Sequence, residues 1–243
     1  MTKMNQKHYE IQVDLQKMTA LKLLAGKDDI RYYLNGVCVE ATVSETRLLA
    51  TNGHMAGMVR NGGFEGQTNV MADDGFVVFT VPNDVLDKIN WKAGKLAPLA
   101  TILVDSWEVP TPEGVGDEGP GIKQIQCVLR TVDGATYPFS ALDGKFPDIR
   151  RVMPWGDRTE QGIGAQINPN YIAAFDKFAK LYKSNKTAHL RLGYAGPNNV
   201  VQVLMMGAPD FIGCIMPLRD ADDATPVAQW PAPGADVPDA AAE

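Results

Sequence analysis

Asp143-Gly144-Lys145-Phe146-Pro147-Asp148-Ile149-Arg150-Arg151-Val152-Met153-Pro154 decides how this chain is read. The run holds no nucleophile, no metal-ligand cluster and no phosphate-cradling glycines. It mixes cations with apolar side chains in a segment that turns at a proline, and such a mixture bridges two domains or lines a groove for a peptide. Two further stretches belong with it: Arg31-Tyr32-Tyr33-Leu34-Asn35-Gly36 and Ala50-Thr51-Asn52-Gly53-His54. Gly36 and Gly53 both follow asparagine, where a positive backbone angle is expected, so they read first as turn residues.

Working outward, short alternating or apolar runs predict strands over 32–42, 47–51, 55–60, 76–81, 101–109, 122–131, 137–142, 188–194, 200–206 and 211–218. Asp133-Gly134 predicts a hairpin turn between two of them. The Pro110–Gly121 stretch reads as a long flexible loop. Three helices are predicted. One spans Asp14–Lys27, with Leu15, Met18, Leu21 and Ala25 on one face. A second spans Asn83–Trp91 behind an asparagine cap. The third spans Asn168–Lys183, with Pro169 in its first turn and Tyr171, Phe175, Phe178 and Tyr182 as an aromatic stripe. The order helix–strands recurs three times, over roughly 10–62, 77–154 and 165–219.

The chain has 243 residues, room for one large or two small domains. No apolar run spans a bilayer and the first residues lack a signal-peptide core, so a cytoplasmic protein with no membrane partner is expected. Cys38, Cys127 and Cys214 stand singly in apolar runs and read as buried reduced thiols. The net charge of −6 belongs to the end of the chain: Asp220, Asp222, Asp223, Asp236, Asp239 and Glu243 have no Lys or Arg among them. Residues 1–219 are therefore neutral overall, and a neutral body can carry a basic face. Residues 220–243, rich in Pro, Ala and Asp, are expected to be disordered.

Lysines mark the helices. Lys177, Lys180 and Lys183 recur at threes on the third, with Lys186 beyond it. Lys88 and Lys92 belong to the second, and Lys17 and Lys22 to the first. Lysine contacts to phosphate carry no sequence information, which suits a protein that slides on duplex DNA. No catalytic pattern competes. The histidines His8, His54 and His189 lack metal-ligand spacing, there is no nucleophile elbow or phosphate loop, and Asp143 and Asp148 read as turn residues. No enzyme, metal or cofactor is expected.

The three stretches, in this order, resemble the bacterial DNA polymerase III beta sliding clamp family. The resemblance assigns residues 1–154 to a clamp middle domain of two modules, 155–219 to half of a clamp last domain, and 220–243 to an extra acidic tail. The terminal Ile215-Met216-Pro217-Leu218-Arg219 is similar to the family's closing segment. The implied fold is α+β, of the DNA-clamp type, built from helix plus antiparallel-sheet modules. The implied function is a non-enzymatic, phage-like DNA-tethering factor. Its partners would be duplex DNA and the peptides of DNA polymerase and clamp loader.

Carried over residue by residue, the partner-peptide pocket comprises Leu34, Thr51, Gly53, His54, Met55, Pro147, Arg151, Val152, Cys214, Met216, Pro217 and Leu218. Met55 stands where clamps carry arginine, which implies a different peptide preference. The family's first domain and the first half of its last domain have no counterpart here. Clamp rings contain twelve such modules, so three per chain would close a ring with four chains and a hidden fourth with three; homo-oligomers are expected. The alternative is a clamp-fold regulatory adaptor or decoy, which binds clamp-motif peptides or a host clamp without encircling DNA.

Overall fold

The computed structural model describes residues 4–61, 70, 76–89, 99–109, 122–142, 144–153, 165–183 and 189–218. The expected loop Pro110–Gly121, residues 154–164, Asp143, Lys92, Lys186 and the acidic residues 220–243 lie outside them.

Eleven strands and three helices are described: β1 (Met4–Asp14), α1 (Leu15–Lys22), β2 (Gly36–Thr42), β3 (Thr46–Thr51), β4 (Met55–Arg60), β5 (Phe76–Pro82), α2 (Asn83–Lys88), β6 (Leu99–Val109), β7 (Ile122–Thr131), β8 (Thr136–Ser140), α3 (Pro169–Lys183), β9 (Leu190–Gly193), β10 (Val201–Met205) and β11 (Phe211–Ile215). The fold is α+β with antiparallel sheets, as expected. Strand β1 has no counterpart in the sequence reading. Its Lys7, His8 and Glu10 break the apolar signal, yet Tyr9, Ile11 and Val13 are buried. The expected strand at Tyr32 starts later, because Tyr32–Leu34 forms a 3-10 turn ahead of β2.

Helix α1 is capped by Asp14, whose side chain accepts from the Gln16 and Lys17 amides. The expected asparagine cap on α2 is corrected. Pro82 holds the cap position without a side-chain bond, and the Asn83 amide group donates instead to the Gly26 carbonyl at 2.8 Å. The cap at α3 is present, with Asn168 Oδ1 accepting from the Asn170 amide at 3.0 Å. The turn at Asp133-Gly134 joins β7 to β8, with Gly134 at φ +89°.

The strands form a four-stranded sheet, β1-β6-β7-β8, and a seven-stranded sheet, β5-β2-β3-β4-β11-β10-β9. The modules are thus not self-contained. The strand leading into α1 pairs with β6, and the strand leading into α2 pairs with β2, a reciprocal exchange. Strands β4 and β11 join the first and third modules into one sheet, antiparallel over Met55–Val59 and Phe211–Ile215.

The larger core lies on the helix side. Ile11, Val13, Ile102, Val104 and Leu129 from the four-stranded sheet meet Leu15, Met18, Leu21 and Leu24, and Phe175, Phe178 and Phe211 continue the same cluster. Helices α1 and α3 pack directly against each other over the β4–β11 junction. Gly57 and Gly213 face each other across that junction. A Cβ on Gly57 would meet Leu24 at 2.6 Å, and one on Gly213 would meet Phe175 and Phe211 at 2.8 Å. The paired glycines let both helices sit down on the seam.

Candidate partner-binding groove and helix face

The opposite face of the seven-stranded sheet carries a second, smaller cluster. Cys38, Leu49, Ala56, Met58 and Cys214 alternate with the helix-side residues of β2, β3, β4 and β11. Phe146, Ile149 and Met153 cover them, so the segment that opened the sequence reading lies across this face. Its 3-10 turn, Ile149–Arg151, starts at Asp148, whose carboxylate accepts from the Arg150 amide at 3.3 Å and from Arg150 Nε at 2.7 Å. Arg150 also reaches Glu40 of β2 at 3.6 Å, tying the segment to the sheet.

The Thr51–Met55 turn is built from its own side chains. Thr51 Oγ1 donates to the Met55 carbonyl at 2.8 Å and accepts from the Gly53 amide at 3.0 Å. Asn52 Oδ1 accepts from the amides of His54 and Met55 at 2.9 and 3.0 Å. Gly53 sits at φ +87°, so the backbone demands glycine, and the Arg31 guanidinium lies 2.8 Å from where a Cβ would be and would have to shift to admit one. Arg31 donates to the Asn52 carbonyl at 3.2 Å and to Asp29 at 2.8 Å. The bonds from the Arg31 side chain and the Arg31 amide hold the Asp29 carboxyl down at about 2. The third stretch fixes the other lip: Asn35 Oδ1 accepts from the Asp29 amide at 3.0 Å, and its amide group donates to the Asp29 carbonyl at 2.9 Å.

Where the three stretches meet, the second cluster is incomplete and leaves a cleft of about 250 Å³. Of the residues named from the sequence, Leu34, Thr51, Gly53, His54, Met55, Pro147, Val152, Cys214 and Met216 line it. The Met216 amide donates to the His54 carbonyl at 2.8 Å and pins the strand after β11 to the turn. Pro217 and Leu218 continue past the cleft, with the Leu218 amide donating to the Gln166 carbonyl at 2.7 Å. Arg151 is exposed and lines a neighbouring, larger cleft of about 910 Å³ between β5 and the segment after β8. Sequence reasoning missed Arg31, Tyr33, Asp148 and Ile149, which also line the smaller cleft, and Tyr171, whose ring stacks on His54 at 6.0 Å. Arg31, Tyr33, Asp148 and Ile149 all lie inside the quoted motifs, and that membership is the signal that could have found them. Tyr171 reads in the sequence as one more member of the aromatic stripe of α3.

Burial pushes the Cys214 thiol up to about 11 and Cys127 to about 12, and raises Cys38 as well. All three are free and buried, as expected of packing residues. Among the described residues no three His, Cys, Asp or Glu side chains come together as a metal site. No described helix is long and apolar enough to cross a membrane.

The candidate DNA-facing lysines lie on the helix side. Lys17 pairs with Asp210 at 2.9 Å and Lys22 with Asp87, while Lys88 pairs with Asp84 at 3.2 Å and Lys180 with Asp176 at 2.6 Å. Lys177 is exposed and has no ion pair among the described residues. Lys183 ends α3. The helix face is thus less positive than its lysine count implies, because four of these cations carry an acidic neighbour.

No protein-family model matches the chain. It is 28% identical over 131 residues to the beta sliding clamp of Pseudomonas putida, covering 54% of this chain and 29% of that protein. It is 28% identical over 144 residues to the beta sliding clamp of Pseudomonas aeruginosa, covering 58% and 32%. The matched stretch thus covers about a third of the length of these relatives. Its fold is similar to the solved DNA polymerase sliding clamp of Pseudomonas aeruginosa, with a TM-score of 0.56 at 17% identity, over 86% of this chain and 66% of that one. It is also similar to the DNA polymerase III beta subunit of Thermotoga maritima, with a TM-score of 0.55 at 14% identity, over 91% and 68%. The family resemblance read from the motifs is the one that both comparisons return.

Proposed function

We propose, from the premise of a chain related in sequence and fold to the beta sliding clamps, that this protein is a non-enzymatic DNA-tethering processivity factor. It binds duplex DNA through its helix face and docks short peptides of a polymerase or clamp loader in the cleft on the opposite face. The observation that carries the reading is the convergence of three sequence-distant stretches, around 31–36, 50–55 and 144–153, with Cys214 and Met216 on one apolar cleft. In this reading residues 1–154 correspond to a middle domain, 155–219 to half of a last domain and 220–243 to an acidic extension, and the protein works in the cytoplasm as a homo-oligomer.

A cleft lined by Leu34, Met55, Ile149 and Val152 with a few polar groups at its rim suits an apolar anchor side chain of a linear motif. The ion pairs of Lys88 and Lys180 are exposed and contribute only about 0–1 kcal/mol, so phosphates can replace their carboxylates. Lys17 and Lys22 are largely buried in their pairs and are the less available cations.

The experiment is retention on circular DNA. Loss on linearisation supports encirclement, whereas peptide binding without retention favours an adaptor that does not encircle DNA. Changing Lys177, Lys180 and Lys183 together to Ala should weaken duplex association and reduce its salt slope by about 0.9 for each phosphate no longer neutralised. Unchanged DNA binding in that variant would sink the helix-face assignment.

A further inference from the structure

We infer that Trp230, in the acidic stretch that follows the described fold, docks in cis in the cleft of about 250 Å³ and competes there with any partner peptide. The inference rests on the peptide-site reading above for this consequence alone; the docking itself needs no partner.

The cleft asks for one large apolar side chain. Leu34 and Cys214 are buried at its floor, and Val152 is exposed at its mouth. A side chain entering between them leaves water and completes the second cluster, which Phe146, Ile149 and Met153 cover only in part.

Residues 220–243 offer a single side chain of that kind. They hold six acids and no Lys or Arg, and no Leu, Ile, Met, Phe or Tyr. Beyond alanine and proline their apolar side chains are Val227, Trp230 and Val237. Of the three, tryptophan buries by far the most area, and it is the residue type that most often anchors a contact in a desolvated pocket. Pro231 and Pro233 restrict the backbone beside it, so docking freezes less freedom. The acids keep the rest of the stretch in water, which leaves Trp230 as its one adhesive group.

The attachment point lies beside the cleft. Met216 lines it, with its amide on the His54 carbonyl, and two residues on the Leu218 amide donates to the Gln166 carbonyl at 2.7 Å. Two residues span at most about 7 Å. Residues 219–229 join Leu218 to Trp230 and reach roughly 40 Å when extended, several times the distance back to the cleft. A tether of this length holds its side chain at an effective concentration on the order of millimolar, so even a weak contact fills the site.

The test compares the full chain with its Trp230→Ala variant by NMR of the methionine methyl groups. Position 230 lies outside the described residues, so the substitution removes no described contact. Met55 and Met216 line the cleft, whereas Met18 of α1 is fully buried in the helix-side core. Loss of an indole ring from the cleft should shift the Met55 and Met216 methyl signals and leave Met18 in place. Titration calorimetry should show a synthetic peptide with a polymerase clamp-binding motif binding at least threefold more tightly to the variant. That ratio requires the cleft of the unaltered chain to be free no more than about a third of the time. Unmoved Met55 and Met216 signals overturn the inference, and so does equal, measurable peptide affinity in the two proteins. Signals that change with the concentration of the unaltered chain overturn docking in cis and give the cleft to the Trp230 of a second copy. Shifted methyl signals without peptide binding to either protein uphold the docking and sink the partner-peptide reading, which keeps the two failures distinct.

Discussion

The two faces of the seven-stranded sheet use the same strands to opposite ends. On the helix side Phe175 and Phe178 are fully buried, their rings 6.3 Å apart, and Phe178 lies 4.6 Å from Phe211. On the other side a single irregular segment, anchored by Phe146, Ile149 and Met153, covers β2, β3, β4 and β11 and stops short of closing the cluster. A regular helix can fill a sheet face; a segment turning through a proline and a 3-10 turn leaves a gap. The difference teaches that stability and recognition are divided between faces. Substitutions on one should unfold the chain, and on the other should spare the fold and change what it holds.

The sharpest way to break that division is Phe175→Ala. Removing a fully buried ring should cost about 3–5 kcal/mol, read as a fall in the urea midpoint. A loss under about 1 kcal/mol would mean that the helix face is not the main core. Next comes Gly213→Ala. The new Cβ would press on Phe175 and Phe211 at 2.8 Å, and both rings are buried in the helix-side core. Overpacking of this kind costs about 1–3 kcal/mol, measurable in the same denaturation series.

On the cleft side, Val152→Asp should leave the urea midpoint unchanged, because Val152 is 43% exposed. A synthetic peptide carrying a polymerase clamp-binding motif should bind at least tenfold more weakly, about 1.4 kcal/mol, since an uncompensated carboxylate would meet its apolar anchor. Equal affinity in titration calorimetry would remove Val152 from the peptide site.

The same division explains what the sequence could reveal. Residues that fix the cleft do so through short-range bonds written into contiguous letters. Thr51, Asn52 and Gly53 bond to their own turn, and Asp148 bonds to Arg150 two residues on. Such motifs are legible without a fold. Strand β1 was not legible, because its burial comes from pairing with β6, far along the chain, and its exposed face is charged. The exchange of β1 and β5 between modules was hidden for the same reason: a repeat of helix and strands looks self-contained until the register is known. The lysines were visible, but their neutralisation was only partly so. Asp84 and Asp176 lie four residues from Lys88 and Lys180, whereas Asp210 lies 193 residues from Lys17.

The smallest expected effect concerns the cleft's rim and separates its electrostatics from its packing. Asp29 is partly exposed, the Arg31 side chain hydrogen-bonds to it, with the Arg31 amide adding a second bond, and its carboxyl sits at about 2 rather than the ordinary 3.8. The folded value lies below the unfolded one. Its contribution is therefore present above pH 3.8, and is lost as the pH falls through about 2. Carboxylate shifts followed by NMR should give Asp29 a midpoint near 2, and Arg31→Ala should return it toward 3.8. A midpoint already at 3.8 in the unaltered protein would mean that the guanidinium is not held over Gly53. The lip of the cleft would then be set by packing alone, as the helix face is.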